Sequence, residues 1–190
     1  MKTHFDIEKI VENGVIINEL DYDIALIADR KLRLLSKENP SLKNLRMKLR
    51  EIIATYENLE WSDPSKIDDN KLAESEKSEA VAEQERVFIE NRKQTIRKKL
   101  KQLDLTQENL GSILGHKIET HMSELMNGIK PFTLKDLIII NKLLKLDIAL
   151  LITVFLSVED QNQGYCIGVE ARQTKYKVSG RGFGIKLSDN

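Results

Sequence analysis

The sequence contains little cysteine, proline or aromatic side chain: one Cys, three Pro, and 5% Phe, Trp and Tyr together. The single thiol, Cys166, has no partner for an internal disulfide, which favours a reducing, cytoplasmic environment. A low aromatic content beside 41% hydrophobic residues favours helices that pack through Leu and Ile over a β-sandwich. These absences predict an all-α protein without disulfides.

Long apolar runs are absent as well. Residues 134–156 are rich in Leu and Ile, but charged residues interrupt them. The longest uncharged stretch, residues 148–158, is shorter than the roughly 20 residues that a membrane-spanning helix needs. The first six residues contain no apolar core of a signal peptide. We therefore expect buried helices in place of a membrane span, and no export.

The residue combinations that enzymes commonly use do not occur at suitable spacings. We find no nucleophile placed to meet a base, no glycine-rich loop for phosphate and no pair of carboxylates on one rigid face. His116 and His121 are five residues apart, which predicts different sides of a helix, and no cysteine or carboxylate set completes a metal site. The sequence therefore predicts no enzyme, no metal and no cofactor.

A net charge of zero hides a gradient along the chain. Residues 92–147 contain eleven Lys or Arg and six Asp or Glu, whereas residues 60–90 contain four Lys or Arg and ten Asp or Glu. A basic segment beside an acidic one is most often a pair of solvated surfaces. Next to a DNA-binding motif, however, a basic segment indicates a surface that attracts the phosphate groups of DNA.

Residues 106–130 have the pattern of two short helices joined by a tight turn. Thr106 is a suitable N-cap for the first helix, and Asn127-Gly128 ends the second. The expected buried residues follow helical spacing: Leu110 and Leu114 in the first helix, and Ile118, Met122 and Leu125 in the second. Such a pattern predicts a helix-turn-helix whose second helix can turn its polar face to the major groove of DNA.

The N-terminal third predicts a helical hairpin. Apolar residues recur at helical spacing over residues 20–35 and 42–59, and Asn39-Pro40 separates the two stripes. A hairpin of two helices encloses little core by itself, so its stripes need another surface. That surface lies in the second domain, in another copy of the chain or in a different protein.

Four segments follow from these patterns. We expect a helical hairpin at residues 1–61, an acidic linker at 62–80, a helix-turn-helix domain of five helices at 81–157 and a Gly-rich basic tail at 158–190. The last helix of the domain is expected to begin at Asp147 and to end near Leu156. The tail is expected to form either a β-hairpin around Ser179-Gly180 or a disordered segment.

The motif resembles a known family of DNA-binding domains. Its matching stretches are Leu105-Thr-Gln-Glu-Asn-Leu110, Ile113-Leu-Gly115 and Met122-Ser-Glu-Leu-Met-Asn-Gly128. Residues 96–152 thereby resemble the lambda-repressor-like (Xre, or Cro/cI-type) domain. With the preceding hairpin, residues 20–157 are similar to the HigA-type antitoxins. This resemblance implies a homodimeric repressor that binds an inverted repeat in its own operon and neutralises a HigB-type, mRNA-cleaving toxin.

The resemblance also assigns roles to individual residues. It implies that Gln107 contacts phosphate and helps to hold the recognition helix, and that Asn127 and Lys130 contact phosphate after that helix. The residues it places at base edges or in the groove are Lys117, Glu119, Thr120, His121 and Glu124.

Two features depart from the family pattern. The stretch from Gly115 to Asn127-Gly128 is one residue longer than usual, which shifts the register of the reading face. That face also carries two glutamates and no arginine. A glutamate near DNA is repelled by phosphate unless it accepts a hydrogen bond from cytosine N4.

Two alternatives to an antitoxin stay open at this point. One is a phage-type or metabolic repressor of the same family without a toxin partner. The other is a helical protein–protein adaptor whose helix-turn-helix has lost DNA binding, which the glutamates permit.

Overall fold

The computed structural model describes residues 7–37, 39–116 and 118–152. This part of the chain contains seven α-helices and two short 3-10 turns, Pro64–Lys66 and Ile148–Leu150, and it contains no strand. The α-helices are α1 (Ile7–Asn13), α2 (Glu19–Leu35), α3 (Pro40–Glu60), α4 (Asp69–Gln102), α5 (Gln107–Leu114), α6 (Glu119–Asn127) and α7 (Leu134–Leu144). The predicted all-α fold is confirmed for these residues. The predicted tail at 158–190 lies outside them.

Local side-chain caps define most helix ends. Asn18 Oδ1 accepts a hydrogen bond from the backbone N–H of Asp21 at the start of α2, and Pro40 occupies the first turn of α3, where no intrahelical N–H is required. Thr106 and Thr133 form reciprocal capping boxes at the starts of α5 and α7. Each of these ends was readable from the sequence because each cap lies within three residues of the group it binds.

The buried side chains form two clusters. The C-terminal core joins α4 to α7 and comprises Ile96, Leu100, Leu110, Leu114, Met122, Leu125, Met126, Phe132, Leu137, Ile140, Leu144, Leu146 and Leu151. The N-terminal core joins α1, α2 and α3 to the middle of α4 and comprises Ile7, Ile16, Ile24, Ala25, Ala28, Leu32, Leu42, Leu49, Ile53, Tyr56, Ala82 and Ile129. Helix α4 therefore contributes to both cores.

Most of the apolar stripe of the N-terminal helices is covered within the chain, whereas Leu34 and Leu59 stay 62% and 64% exposed. Helix α2 packs against both α3 and α4, with Ala25 and Leu32 fully buried. The sequence allowed three surfaces to cover these helices: the second domain, another copy of the chain or a different protein. The structure shows packing against α4 of the same chain.

The expected linker at residues 62–80 differs from the structure, in which residues 69–80 form the first part of α4. Asp68 caps this helix by accepting from the backbone N–H of Lys71 at 2.8 Å, and Lys71 Nζ contacts Glu60 Oε2 at 2.7 Å. The segment is polar because most of its helical surface is exposed. The predicted boundary at residue 81 falls inside α4, and all described residues belong to one compact unit.

The C-terminal end of the described chain also differs from the expectation. In place of a helix from Asp147, the structure has a single 3-10 turn, Ile148–Leu150, which Asp147 caps. Leu151 then enters the C-terminal core and is fully buried. The remainder of the expected helix lies outside the described residues. Among the described helices, none combines the length and the apolarity needed to cross a membrane.

Candidate nucleic-acid interface

Helices α5 and α6 are joined by a turn of four residues. Gly115 ends α5 in the left-handed conformation with φ of 85°, which glycine adopts at little cost. The backbone N–H of His116 then donates to the Gly111 carbonyl at 2.8 Å. Gly111 itself is buried, and a Cβ on it would lie 3.7 Å from Met122. The small residues therefore let α6 pack closely across α5.

The buried side of this helix pair agrees with the sequence at four of five apolar positions. Leu110, Leu114, Met122 and Leu125 are all buried, as predicted. Ile118 is 66% exposed, against the prediction. It is the N-cap of α6 and has an extended backbone. Helical spacing therefore does not apply to it, and its side chain does not lie on the predicted buried face.

Among the predicted base-contact residues, Thr120 is exposed near the start of α6 and His121 is partly exposed. His121 Nδ1 lies 3.5 Å from Glu124 Oε2. Lys117 and the side chain of Glu119 lie outside the described structure. The exposed end of α6 is therefore its N-terminal end, which is the end that enters the major groove in helix-turn-helix proteins.

Glu124 was predicted to contact a base edge, but only 6% of this residue is exposed. Its Oε2 accepts a charge-assisted bond of 2.9 Å from Lys130 Nζ. The chain turns directly after α6, where the backbone N–H of Ile129 donates to the Glu124 carbonyl at 2.9 Å. This turn places Lys130 beside the Glu124 side chain. Glu124 is therefore buried and engaged within the chain in this structure.

Lys130 and Asn127 were predicted to contact phosphate, and both side chains have partners within the chain. Lys130 Nζ also pairs with Glu8 Oε1 of α1 at 3.0 Å. Burial lowers the pKa of Lys130, but the bonds to Glu124 and Glu8 outweigh it, so that its pKa is raised. Asn127 Oδ1 accepts from Lys93 Nζ at 2.9 Å. Both residues support the C-terminal end of α6 in the observed structure.

Gln107, the remaining predicted site residue, is the first residue of α5 and is half-buried. It lines an open surface groove between the end of α4 and the start of α5. The other residues of the groove are Arg97, Leu100, Lys101, Asp104, Leu105 and Thr106. The groove thus places two cationic side chains and the carboxylate of Asp104 beside the N-terminus of α5. The capping box already uses the N–H groups of Thr106 and Asn109, and the helix dipole favours an anion at this end.

The basic run at the end of α4 divides into buried and exposed members. Arg92 is 2% exposed, its guanidinium carbon lies 5.1 Å from the centre of the Phe132 ring, and Nη1 donates to the Leu151 carbonyl at 3.3 Å. Burial lowers the pKa of Arg92 to about 10. Arg97, Lys98 and Lys101 are exposed. The exposed cations therefore lie in the second half of this run.

The two histidines lie closer together than their spacing indicated. His116 precedes α6 and does not belong to it, so the helical argument for different sides does not apply. The two ring centres are 4.7 Å apart, edge to face, and His116 Nε2 lies 3.3 Å from Asp136 Oδ1. Among the described residues, no group of three or more His, Cys, Asp or Glu side chains has the arrangement of a metal site.

Sequence reasoning also missed a contact that the N-terminal helices make with the end of α6. Lys31 of α2 donates from Nζ to the Asn127 carbonyl at 3.1 Å. The available signal was a lysine at helical spacing from the apolar residues Ile27 and Leu35, but nothing in the local pattern identifies a partner 96 residues away.

Comparison with known proteins gave no match to any family model, curated protein or solved structure.

Proposed function

We propose that this protein is a DNA-binding transcriptional regulator that binds double-stranded DNA through α5 and α6. The observation that carries this proposal is the joint position of an exposed α6 N-terminus and the cationic groove at the start of α5. Thr120 and the partly exposed His121 stand at the reading end, and Arg97, Lys101 and Gln107 line the groove. Phosphate contacts in the groove would set the register in which α6 meets base edges.

The finer architecture belongs to the same proposal. Helices α4 to α7 with the turn at Ile148–Leu150 would form a lambda-repressor-like domain, and α2 with α3 the preceding hairpin. The protein would act in the cytoplasm as a homodimeric repressor on an inverted repeat, one copy of α6 for each half-site. No catalytic step, metal or cofactor is part of this proposal.

DNA binding can be tested with two substitutions that each remove one positive charge. We expect Arg97→Met to weaken binding to duplex DNA by about tenfold at low salt and to flatten its salt dependence, because one phosphate contact is lost. Lys48→Met, which removes a charge exposed on α3, should leave binding near the wild-type value. Fluorescence anisotropy over a salt series measures both.

An absence of binding at low salt by the folded wild-type protein would reject the DNA proposal and favour a protein–protein adaptor. Equal losses in the two variants would show non-specific attraction with no role for the groove.

We further propose that the protein neutralises a HigB-type toxin and represses the operon that encodes both. The support is the resemblance of residues 20–157 together with the acidic character of residues 60–90, since a ribonuclease that binds mRNA needs a basic surface. Co-expression with the product of a neighbouring gene tests this. A neighbour that is toxic alone and co-purifies supports the toxin role, and its absence favours a repressor without a toxin.

A further inference from the structure

The C-terminal end of α6 is held by residues that lie outside the predicted DNA-binding domain. Lys31 reaches it from α2, where its neighbours Ala28 and Leu32 belong to the N-terminal core. Its Nζ donates to the Asn127 carbonyl at 3.1 Å. Carbonyls at the C-terminus of a helix lack intrahelical donors and form the negative end of the helix dipole, so a cation is favoured at this position.

Asn127 is restrained from two further directions. Lys93 Nζ donates to its Oδ1 at 2.9 Å, and its own Nδ2 donates to the Ser123 carbonyl, one turn earlier in α6, at 2.8 Å. The residue therefore uses its backbone carbonyl and both polar atoms of its side chain within the protein. Two cations on different helices fix one residue at the end of α6.

The chain that follows Asn127 is anchored to the same region. A Cβ on Gly128 would lie 2.8 Å from Ile89 Cδ1, so the backbone here packs directly against α4. Ile129 is fully buried in the N-terminal core. Lys31, Gly128 and Ile129 also line one small cavity of about 30 Å³. The end of α6 is thus anchored through Gly128 against α4 and through Ile129 in the N-terminal core.

The opposite end of α6 has weaker local support. Its N-cap, Ile118, makes no side-chain capping bond, and Thr120 is exposed. Met122 and Leu125 fix the middle of α6 in the C-terminal core, and the bond to Asn127 adds a restraint on its orientation at the C-terminal end.

We propose that Lys31 is a positioning residue for DNA reading, which ties the orientation of α6 to the N-terminal helices through the Asn127 carbonyl. This inference rests on the proposed DNA binding through α6. It makes the N-terminal helices part of the DNA-reading unit, so that a ligand bound to them would change sequence preference as well as occupancy.

The charges around Lys31 give the proposal a pH signature. Burial lowers the pKa of Lys31 to about 8, and four α4 side chains act on it, with Glu90 and Glu85 raising the pKa and Lys93 and Arg86 lowering it. Lys31 is thus mostly charged at pH 7 and mostly neutral at pH 9. The attraction between its charge and the end of α6 weakens over this range, whereas an arginine at the same position keeps its charge.

The experiment uses the full chain and a duplex that the wild-type protein selects from a library of randomised sequences. The quantity measured is the ratio of affinity for that duplex to affinity for an unrelated duplex. We expect Lys31→Met to lower the ratio by about tenfold, the effect of losing one charge-assisted bond. Arg33→Met removes an equal charge exposed on α2 and should lower both affinities slightly, without changing their ratio.

Two further readouts separate positioning from general stability. Between pH 7 and pH 9 the ratio should fall for the wild-type protein and stay level for Lys31→Arg. Amide hydrogen exchange of Lys31→Met should accelerate at residues 124–130 and stay unchanged at residues 110–114.

The outcomes distinguish this inference from the proposal on which it rests. If the wild-type protein selects a duplex but Lys31→Met keeps the wild-type ratio, or wild-type and Lys31→Arg share one pH profile, the positioning role is overturned and DNA binding stands. If the wild-type protein selects no duplex, both proposals fall.

Discussion

At the scale of the residue, the polar side chains along the C-terminal half of α6 bind partners within the chain. Glu124 and Lys130 are each compatible with a DNA contact in the sequence, yet they bind each other at 2.9 Å. Asn127, a residue common in turns and at phosphates, accepts from two lysines. A polar residue beside a reading helix can therefore belong to the support of that helix as well as to its reading face.

Two carboxylates of α2, Glu19 and Asp23, are incompletely hydrogen-bonded. Glu19 Oε1 accepts from the Tyr56 hydroxyl at 2.9 Å, but Glu19 Oε2 and Asp23 Oδ2 are buried without hydrogen-bond partners. Burial, with the nearby charges of Glu19 and Glu79, raises the pKa of Asp23 to about 6. The folded state therefore favours protonated Asp23, which has consequences for stability.

We predict that Asp23→Asn stabilises the protein at pH 8 and that the gain disappears as the pH falls to about 4. The pKa of Asp23 is higher in the folded than in the unfolded state, so its contribution to stability is complete below the unfolded value and is lost as the pH rises through 6. Urea unfolding at each pH measures the effect, and Glu51→Gln, an exposed change on α3, is the control. A gain that is equal at both pH values would contradict the prediction.

At the scale of the element, the two left-handed glycines next to the helix pair have different surroundings. Gly115, with φ of 85°, ends α5 in open space, and a Cβ placed on it would have no atom within 4 Å. Gly128, with φ of 71°, ends α6 against Ile89. The first position requires glycine for its backbone conformation alone, and the second requires it for packing as well.

We therefore expect Gly128→Ala to destabilise the protein more than Gly115→Ala does. The left-handed conformation costs about 1–2 kcal/mol for alanine at either position, and only at Gly128 must Ile89 also move. Chemical denaturation of both variants gives the comparison. Ile89→Val removes the contacting Cδ1, so the double variant with Gly128→Ala should lose less stability than the sum of its parts; strict additivity would exclude the clash.

At the scale of the whole molecule, α4 connects the two cores. Ala82 belongs to the N-terminal core, and Ile96 and Leu100 belong to the C-terminal core. Ile129 crosses in the other direction, from the turn after α6 into the N-terminal core. The N-terminal core is completed by Ala82 and Ile129, which belong to the predicted C-terminal domain, so the parts predicted as separate domains are expected to unfold together.

The prediction for the whole molecule is a single unfolding transition. Leu49→Ala in one core and Leu110→Ala in the other should each lower the free energy of that transition by about 2–5 kcal/mol, since both side chains are fully buried. Trp61, the only tryptophan, reports on the end of α3, and far-ultraviolet circular dichroism reports on all helices. Two separate midpoints, one lowered by Leu49→Ala and the other by Leu110→Ala, would show that the two cores are independent domains.

The sequence by itself determined the helical class, the caps at Thr106 and Thr133, and the buried positions Leu110, Leu114 and Met122, because each depends on residues within about one helical turn. Tertiary contacts decided that Glu124 is buried and that Asn127 and Lys130 bind partners within the chain. Those outcomes depend on partners far along the chain: Lys31 is 96 residues from Asn127, and Lys130 meets Glu8 of α1. The spacing of nearby residues carries no information about which distant element supplies a charged partner. Such partners meet only when the helices pack into the two cores along α4.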